Sequence, residues 1–146
     1  MINQAFSEIF ERNIDKLIAE INLYKNEEDL WIVRGEISNS AGNLCLHLIG
    51  NLNHFIGFAI GKTGYLRNRD EEFSQKNIPR ATLISNLENT KKVVKSALQN
   101  LNIADLEKDF PVEMQGKIQR TDFMLLHLLA HLSYHLGQVN YHRRLL

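Results

Sequence analysis

The chain has 146 residues, 44% hydrophobic and 23% charged, a size that suits one domain spanning 1–146 with a substantial buried core. Lys plus Arg and Asp plus Glu both number 17, so no net positive field draws nucleic acid or an anionic membrane, and neither is expected as a partner. One cysteine, Cys45 between Leu44 and Leu46, precludes an internal disulfide and reads as an inert buried thiol suited to a reducing cytoplasm.

In chain order, the opening "MINQAFSEIFERNIDKLIAEI" carries acidic and basic residues throughout and is neither a signal peptide nor a membrane span, so the protein is expected to stay in the cytoplasm. Phe6, Ile9, Phe10, Leu17, Ile21 and Tyr24 fall on one stripe and predict a first helix over 3–24. "KNEEDLWIVRGEIS" reads as irregular with Trp31 tucked inward. Ser38, Asn39 or Ser40 then offers an N-cap for a strongly apolar second helix to about Gly61. The turn-rich "KTGYLRNRDEEFSQKN" follows, and its carboxylates Asp70, Glu71 and Glu72, like Glu36 earlier, are expected to be solvated in loops. Pro79 opens a third helix over 80–101 with Leu83, Leu87, Val94 and Leu98 inward. "DFPVEMQGKIQ" is a loop or small hairpin, and Thr121 or Asp122 caps a fourth helix that runs to the C-terminus. Four long amphipathic helices pack as an all-α bundle.

The fourth helix carries "HLLAHLSYHLGQVNYH", with histidines at 127, 131, 135 and 142 out of six in the chain. At 100° per residue its apolar arc centres on Leu132, with His135 just within the arc, His131 at its edge and His127 beyond. His142 lies two turns past His135 in angle but too far along the axis for a shared small site; beside Arg143 and Arg144 it suits the negative end of the helix dipole. On the second helix His47 likewise borders the buried arc, and Gly50, Gly57 and Gly61 form a strip where a neighbour can approach closely. Three imidazoles from two helices are enough to hold a divalent ion and leave positions open for water or substrate. The same row of histidines is also what a partly buried polar stripe with nothing bound looks like. Other metal and phosphate signatures are missing: Leu132 follows His131, so the zinc-protease HExxH pattern fails, no Glu stands three before a His, and there is no Gly-rich loop.

"HLSYHLGQVNYHRRLL" resembles the last-helix motif HxxxHxGQ of the DinB and YfiT-like metal-binding bundle proteins, and "LHLIGNLNHFI" supports the likeness. "GYLRNRDEEF" after "HLIGN" resembles a subgroup of that superfamily of uncharacterised function. The resemblance implies a four-helix bundle in up-down-down-up order with a long crossover, frequent homodimers, and zinc, nickel or a similar divalent ion such as iron. It carries the metal ligands onto His47, His131 and His135, the three histidines that the helical wheels place at buried margins. Relatives include transferases and isomerases that use bacillithiol, mycothiol or glutathione, so one expectation is a metal-dependent thiol transferase. The other is a non-enzymatic stress-related or binding protein in which any metal fastens two helices. Gln138, Tyr134 and Asn51 are candidates for lining a ligand pocket, and no carboxylate stands out as a general base. Phe123, Tyr134 and Tyr141 make the far flank of the fourth helix apolar as well, which predicts either a homodimer or burial under the crossover. Ligating imidazoles must be neutral, so metal binding is expected to weaken as pH falls through about 6.5.

Overall fold

The computed structural model describes residues 1–146 and is all-helical. Its elements are α1 (Ile2–Leu23), a 3-10 turn (Glu27–Trp31), α2 (Ala41–Leu52) continued by a π-helical segment (Asn53–Phe58), α3 (Arg69–Ser74), α4 (Arg80–Gln99), α5 (Ile103–Glu107) and α6 (Thr121–Arg144). No helix is long and apolar enough to cross a membrane.

The four long helices share one core. α1 packs on α4 and α6, and α2 packs on the same two. Phe10, Ile14, Leu17 and Ile21 from α1 meet Leu48 and Leu52 from α2, Leu83, Leu87, Val94 and Leu98 from α4, and Leu125, Leu128, Leu132 and Val139 from α6. Cys45 is fully buried there, and burial pushes its thiol up to about 12, which makes it a poor nucleophile. Cross-links fix the registers at the margins. Asn13 donates to Ser133, Glu20 takes Asn140 and Arg143, Lys91 meets Asp15, and Asn53 donates to Thr90.

Two local features differ from the sequence reading. The second helix does not run evenly to Gly61. Asn53 bonds back to the Ile49 carbonyl and across to Thr90, and the amides of Ala59 and Gly61 reach carbonyls five residues back, at His54 and Ile56. The cap of α6 is Arg120, because the Thr121 hydroxyl donates to the Lys108 carbonyl instead of capping, and Asp122 lies inside the first turn. The stretch before α6 closes as a small hairpin-like turn, one of the two forms expected of it, through Phe110–Gln119 and Met114–Lys117 backbone bonds and without regular strands. Elsewhere Ser40 caps α2 by accepting from the Asn43 amide, and Trp31 lies half-buried against Gly42, where a Cβ would sit 2.7 Å from the indole.

The crossover between α2 and α4 is pinned to α2. The Asn43 side-chain amide donates to the carbonyls of Glu72 and Gln75, both at 2.9 Å, which seats α3 beside His47 and Gly50. A Cβ on Gly50 would lie 1.8 Å from Glu72 Oε2, so the missing side chain is what admits the Glu72 carboxylate. Gly57 and Gly61 play the expected part against α4, facing Val93 and Ala97.

Candidate metal centre

His47 on α2 faces His131 and His135, one turn apart on α6. The Nε2 atoms of His47 and His135 each stand 3.1 Å from Nε2 of His131. The three ring planes are close to mutually perpendicular, at 78°, 87° and 88°. Imidazole lone pairs lie in the ring plane, so this arrangement aims three of them at one small volume. Ligand atoms of all three residues lie within 4.8 Å of one another, close enough to hold a metal ion.

The outward nitrogens are held as well. His47 Nδ1 is 3.0 Å from Glu72 Oε1, and His135 Nδ1 is 2.6 Å from Gln138 Oε1. Glu72 in turn receives a two-pronged contact from Arg67, Nε to Oε2 at 2.8 Å and an Nη to Oε1 at 2.9 Å. Burial works to raise the Glu72 carboxyl, but the hydrogen bonds from His47 and Arg67 prevail and hold it below the usual carboxylate range. An ionised carboxylate only accepts, so His47 carries its proton on Nδ1 and presents a bare lone pair at Nε2. His135 does the same through the Gln138 carbonyl oxygen.

This pattern tests whether a cation fits. Two bare lone pairs point at His131 Nε2, and that atom can donate one proton to only one of them. A neutral cluster therefore leaves at least one of these lone pairs without a donor at 3.1 Å. A single cation satisfies all three nitrogens, and a tetrahedral zinc with bonds of about 2.0–2.1 Å has its ligands roughly 3.3 Å apart. The donor set is one that could hold a metal ion.

The remaining candidates fall outside the trio. His127 is exposed and stacks on His131 with centroids 6.5 Å apart, Tyr134 lies edge-on to His135 and is mostly exposed, and Asn51 is buried one turn beyond His47. Gln138 also lines a cleft of about 530 Å³ with Leu44, Tyr141 and His142. His142 does not sit free at the helix end: it turns inward, its Nδ1 2.6 Å from the Tyr24 hydroxyl and its Nε2 2.8 Å from the Ile32 carbonyl oxygen. Both ring nitrogens are spent on tying α6 to α1 and to the segment after the 3-10 turn.

Glu72 and Arg67 are the functional residues that sequence reasoning missed. Glu72 is 6% exposed, against the expectation of a solvated loop carboxylate. The available signal was Gly50, three residues after His47 and so on the same helical face, where a missing side chain leaves a notch beside a candidate ligand.

Burial, followed by the nearby His135, His47 and His127 rings and Arg67, lowers His131 to about 4 from the 6.5 of a free imidazole, and burial also lowers His135. A depressed imidazole favours folding above 6.5; below it the unfolded chain takes up a proton that the folded one refuses, so stability drains away between 6.5 and about 4. Urea midpoints of the chelated protein are therefore expected to fall across that window, and His131→Leu to flatten the fall. The same depression delays proton competition, so loss of metal affinity on acidification shifts below the 6.5 of a free imidazole.

The class is an all-helical protein carrying a partly buried cluster of three histidines able to hold a metal ion. A family model described as "Protein of unknown function (DUF1572)" matches residues 3–146, and the chain belongs to that family. No curated protein matches it.

Proposed function

We propose that this is a DinB/YfiT-like bundle protein in which His47, His131 and His135 bind a divalent ion, zinc or nickel before iron, and that it acts as a metal-dependent transferase on a low-molecular-weight thiol in the cytoplasm. The observation that carries the reading is the convergence of three Nε2 atoms whose outward nitrogens, for two of the three, are already committed to acceptors. The up-down-down-up order with a long crossover is supported by the registers. Asp15 with Lys91 and Glu11 with Lys95 run α1 against α4, whereas Asn13 with Ser133 and Glu20 with Arg143 run α1 along α6. Asn53 with Thr90 and Gly57 with Val93 run α2 along α4.

An ion held by these rings supplies the positive charge that lowers a thiol's pKa, so that thiolate is available at neutral pH. The chain's own part is to hold His131 and His135 neutral, through burial, and to orient His47 and His135, through Glu72 and Gln138. Phe73 packs on His47 at 4.9 Å, Arg69 lies over the Phe73 ring, and Phe73 and Tyr134 flank the cluster with aromatic surface. In the transfer a carbon–sulfur bond forms, the thiol proton passes to solvent, and the leaving group departs with its electron pair.

The test is conjugation of bacillithiol or glutathione to a soluble carbon electrophile by zinc- and nickel-loaded protein. The reading expects a rate that vanishes on chelation and in His131→Ala. A second reading, a metal that only fastens the fold, is favoured by the way Glu72 links the crossover to His47. It expects metal to raise the unfolding temperature with no turnover.

We also propose a homodimer. The crossover does not cover the far flank of α6: Phe123 is 49% exposed, and Tyr134 and Tyr141 are 65% exposed each. Phe123, His127, Ala130, Tyr134, Gly137 and Tyr141 are spaced 4-3-4-3-4, a 3.5-residue repeat, and all are exposed. The row is also symmetric about Leu132. Two copies of α6 crossing antiparallel place Tyr134 of one opposite Ala130 of the other, and His127 opposite Gly137, large against small. Light scattering is expected to give twice 16.9 kDa, and Tyr134→Glu with Tyr141→Glu to return the mass to 16.9 kDa. A wild-type mass of 16.9 kDa, unchanged on concentrating, rejects the dimer.

A further inference from the structure

When three Nε2 lone pairs converge on a cation, each neutral ring must carry its proton on Nδ1 and pass it outward. Glu72 and Gln138 accept two of those protons. The third outward nitrogen, His131 Nδ1, is buried and has no partner. Only two other buried side-chain atoms lack one, Asn51 Oδ1 and Arg80 Nε, and only the first of these is an acceptor. Asn51 is 7% exposed and sits one turn beyond His47.

The packing of α2 on α6 brings these two orphans to one level. His47 meets His131 and His135, and further along α2 Ala59 shares a small apolar cluster with Met124. Movement along α2 from His47 toward Ala59 thus corresponds to movement back along α6 from His135 toward Met124. Asn51 falls between these points, opposite the turn that holds His131. From this we infer that Asn51 is a positioning residue for the trio, its Oδ1 accepting the His131 Nδ1 proton directly or through one buried water. The inference rests on the reading that the trio binds metal. It adds that the pocket around His131 is shaped for one tautomer, the one that leaves Nε2 free.

An orphaned acceptor disfavours the metal-free protein and is repaid when metal commits His131 to Nδ1–H. Removing it should therefore act in opposite directions on the two states, which a merely structural asparagine would not do. The experiment is zinc competition against a chromophoric chelator for wild type, Asn51→Ala and Asn51→Asp, with thermal unfolding of each chelated protein and long-range 15N–1H spectra of zinc-loaded wild type. Asn51→Ala is expected to bind zinc about 10- to 100-fold more weakly while its chelated form unfolds no lower than wild type. Asn51→Asp, which keeps an acceptor, restores the affinity, and the spectra show His131 protonated at Nδ1. Unchanged affinity in Asn51→Ala or an equally weak Asn51→Asp overturns the inference while the metal reading stands, whereas a proton on Nε2 of His131 takes that atom out of the convergence and overturns both. Wild type that binds no zinc overturns both.

Discussion

Replacing Glu72 by alanine is expected to lower the unfolding free energy of the chelated protein by about 3 kcal/mol, and to weaken metal binding by about 10- to 100-fold. The carboxylate is 6% exposed and is held by three contacts: the Arg67 guanidinium reaches both oxygens, and His47 Nδ1 reaches one of them. Without it, Arg67, whose side chain is only 13% exposed, keeps its charge without a counter-charge, and His47 loses the acceptor that fixes its tautomer. The expected loss is at the low end for half of a buried pair, because Arg67 retains enough exposure to swing toward water. Gly50→Ala supplies an independent check. Its Cβ would occupy the space of Glu72 Oε2 and force the carboxylate out, so it should reproduce both losses with every charged group still present. Urea unfolding and zinc competition read the two effects separately. Wild-type values in Glu72→Ala would mean that the carboxylate only decorates the crossover.

His131→Ala is expected to abolish stoichiometric metal binding, whereas His142→Ala leaves it nearly intact. His131 Nε2 is the atom that both other rings face, so its loss leaves two donors and removes the centre of the cluster. His142 spends its nitrogens on Tyr24 and Ile32, and removing it should cost stability alone, on the order of 1–2 kcal/mol for buried hydrogen bonds left unmade. The two variants therefore separate along different axes. Metal content after dialysis reports one, and denaturant midpoints report the other. Equal loss of metal in both would mean a site built from other residues.

Helical periodicity was enough to choose which histidines border the core, because a 100° step converts position directly into direction, and His47, His131 and His135 lie where it pointed. It also supplied the inward rows of α1, α4 and α6, since a face buried against several neighbours must repeat at that interval. What it could not supply was α3. That helix has six residues, too few for a periodic signal, and its position follows from tertiary contacts, Asn43 bonding to its backbone and Gly50 making room for Glu72. Glu72 consequently looked like its neighbours Asp70 and Glu71, which are exposed. The inward turn of His142 escaped for a related reason. Its partners Tyr24 and Ile32 lie more than a hundred residues away, where no local rule reaches.

Whether the three imidazoles bind one ion is tested most directly by cobalt(II) titration of the chelated protein at neutral pH. The visible absorption of low-coordinate cobalt with nitrogen and oxygen ligands is expected to saturate at one ion per chain and to be displaced by zinc. It should disappear in His47→Ala, His131→Ala and His135→Ala but persist in His127→Ala. A spectrum that stays that of the hexaaqua ion throughout the titration, or one that survives loss of His131, would contradict the account.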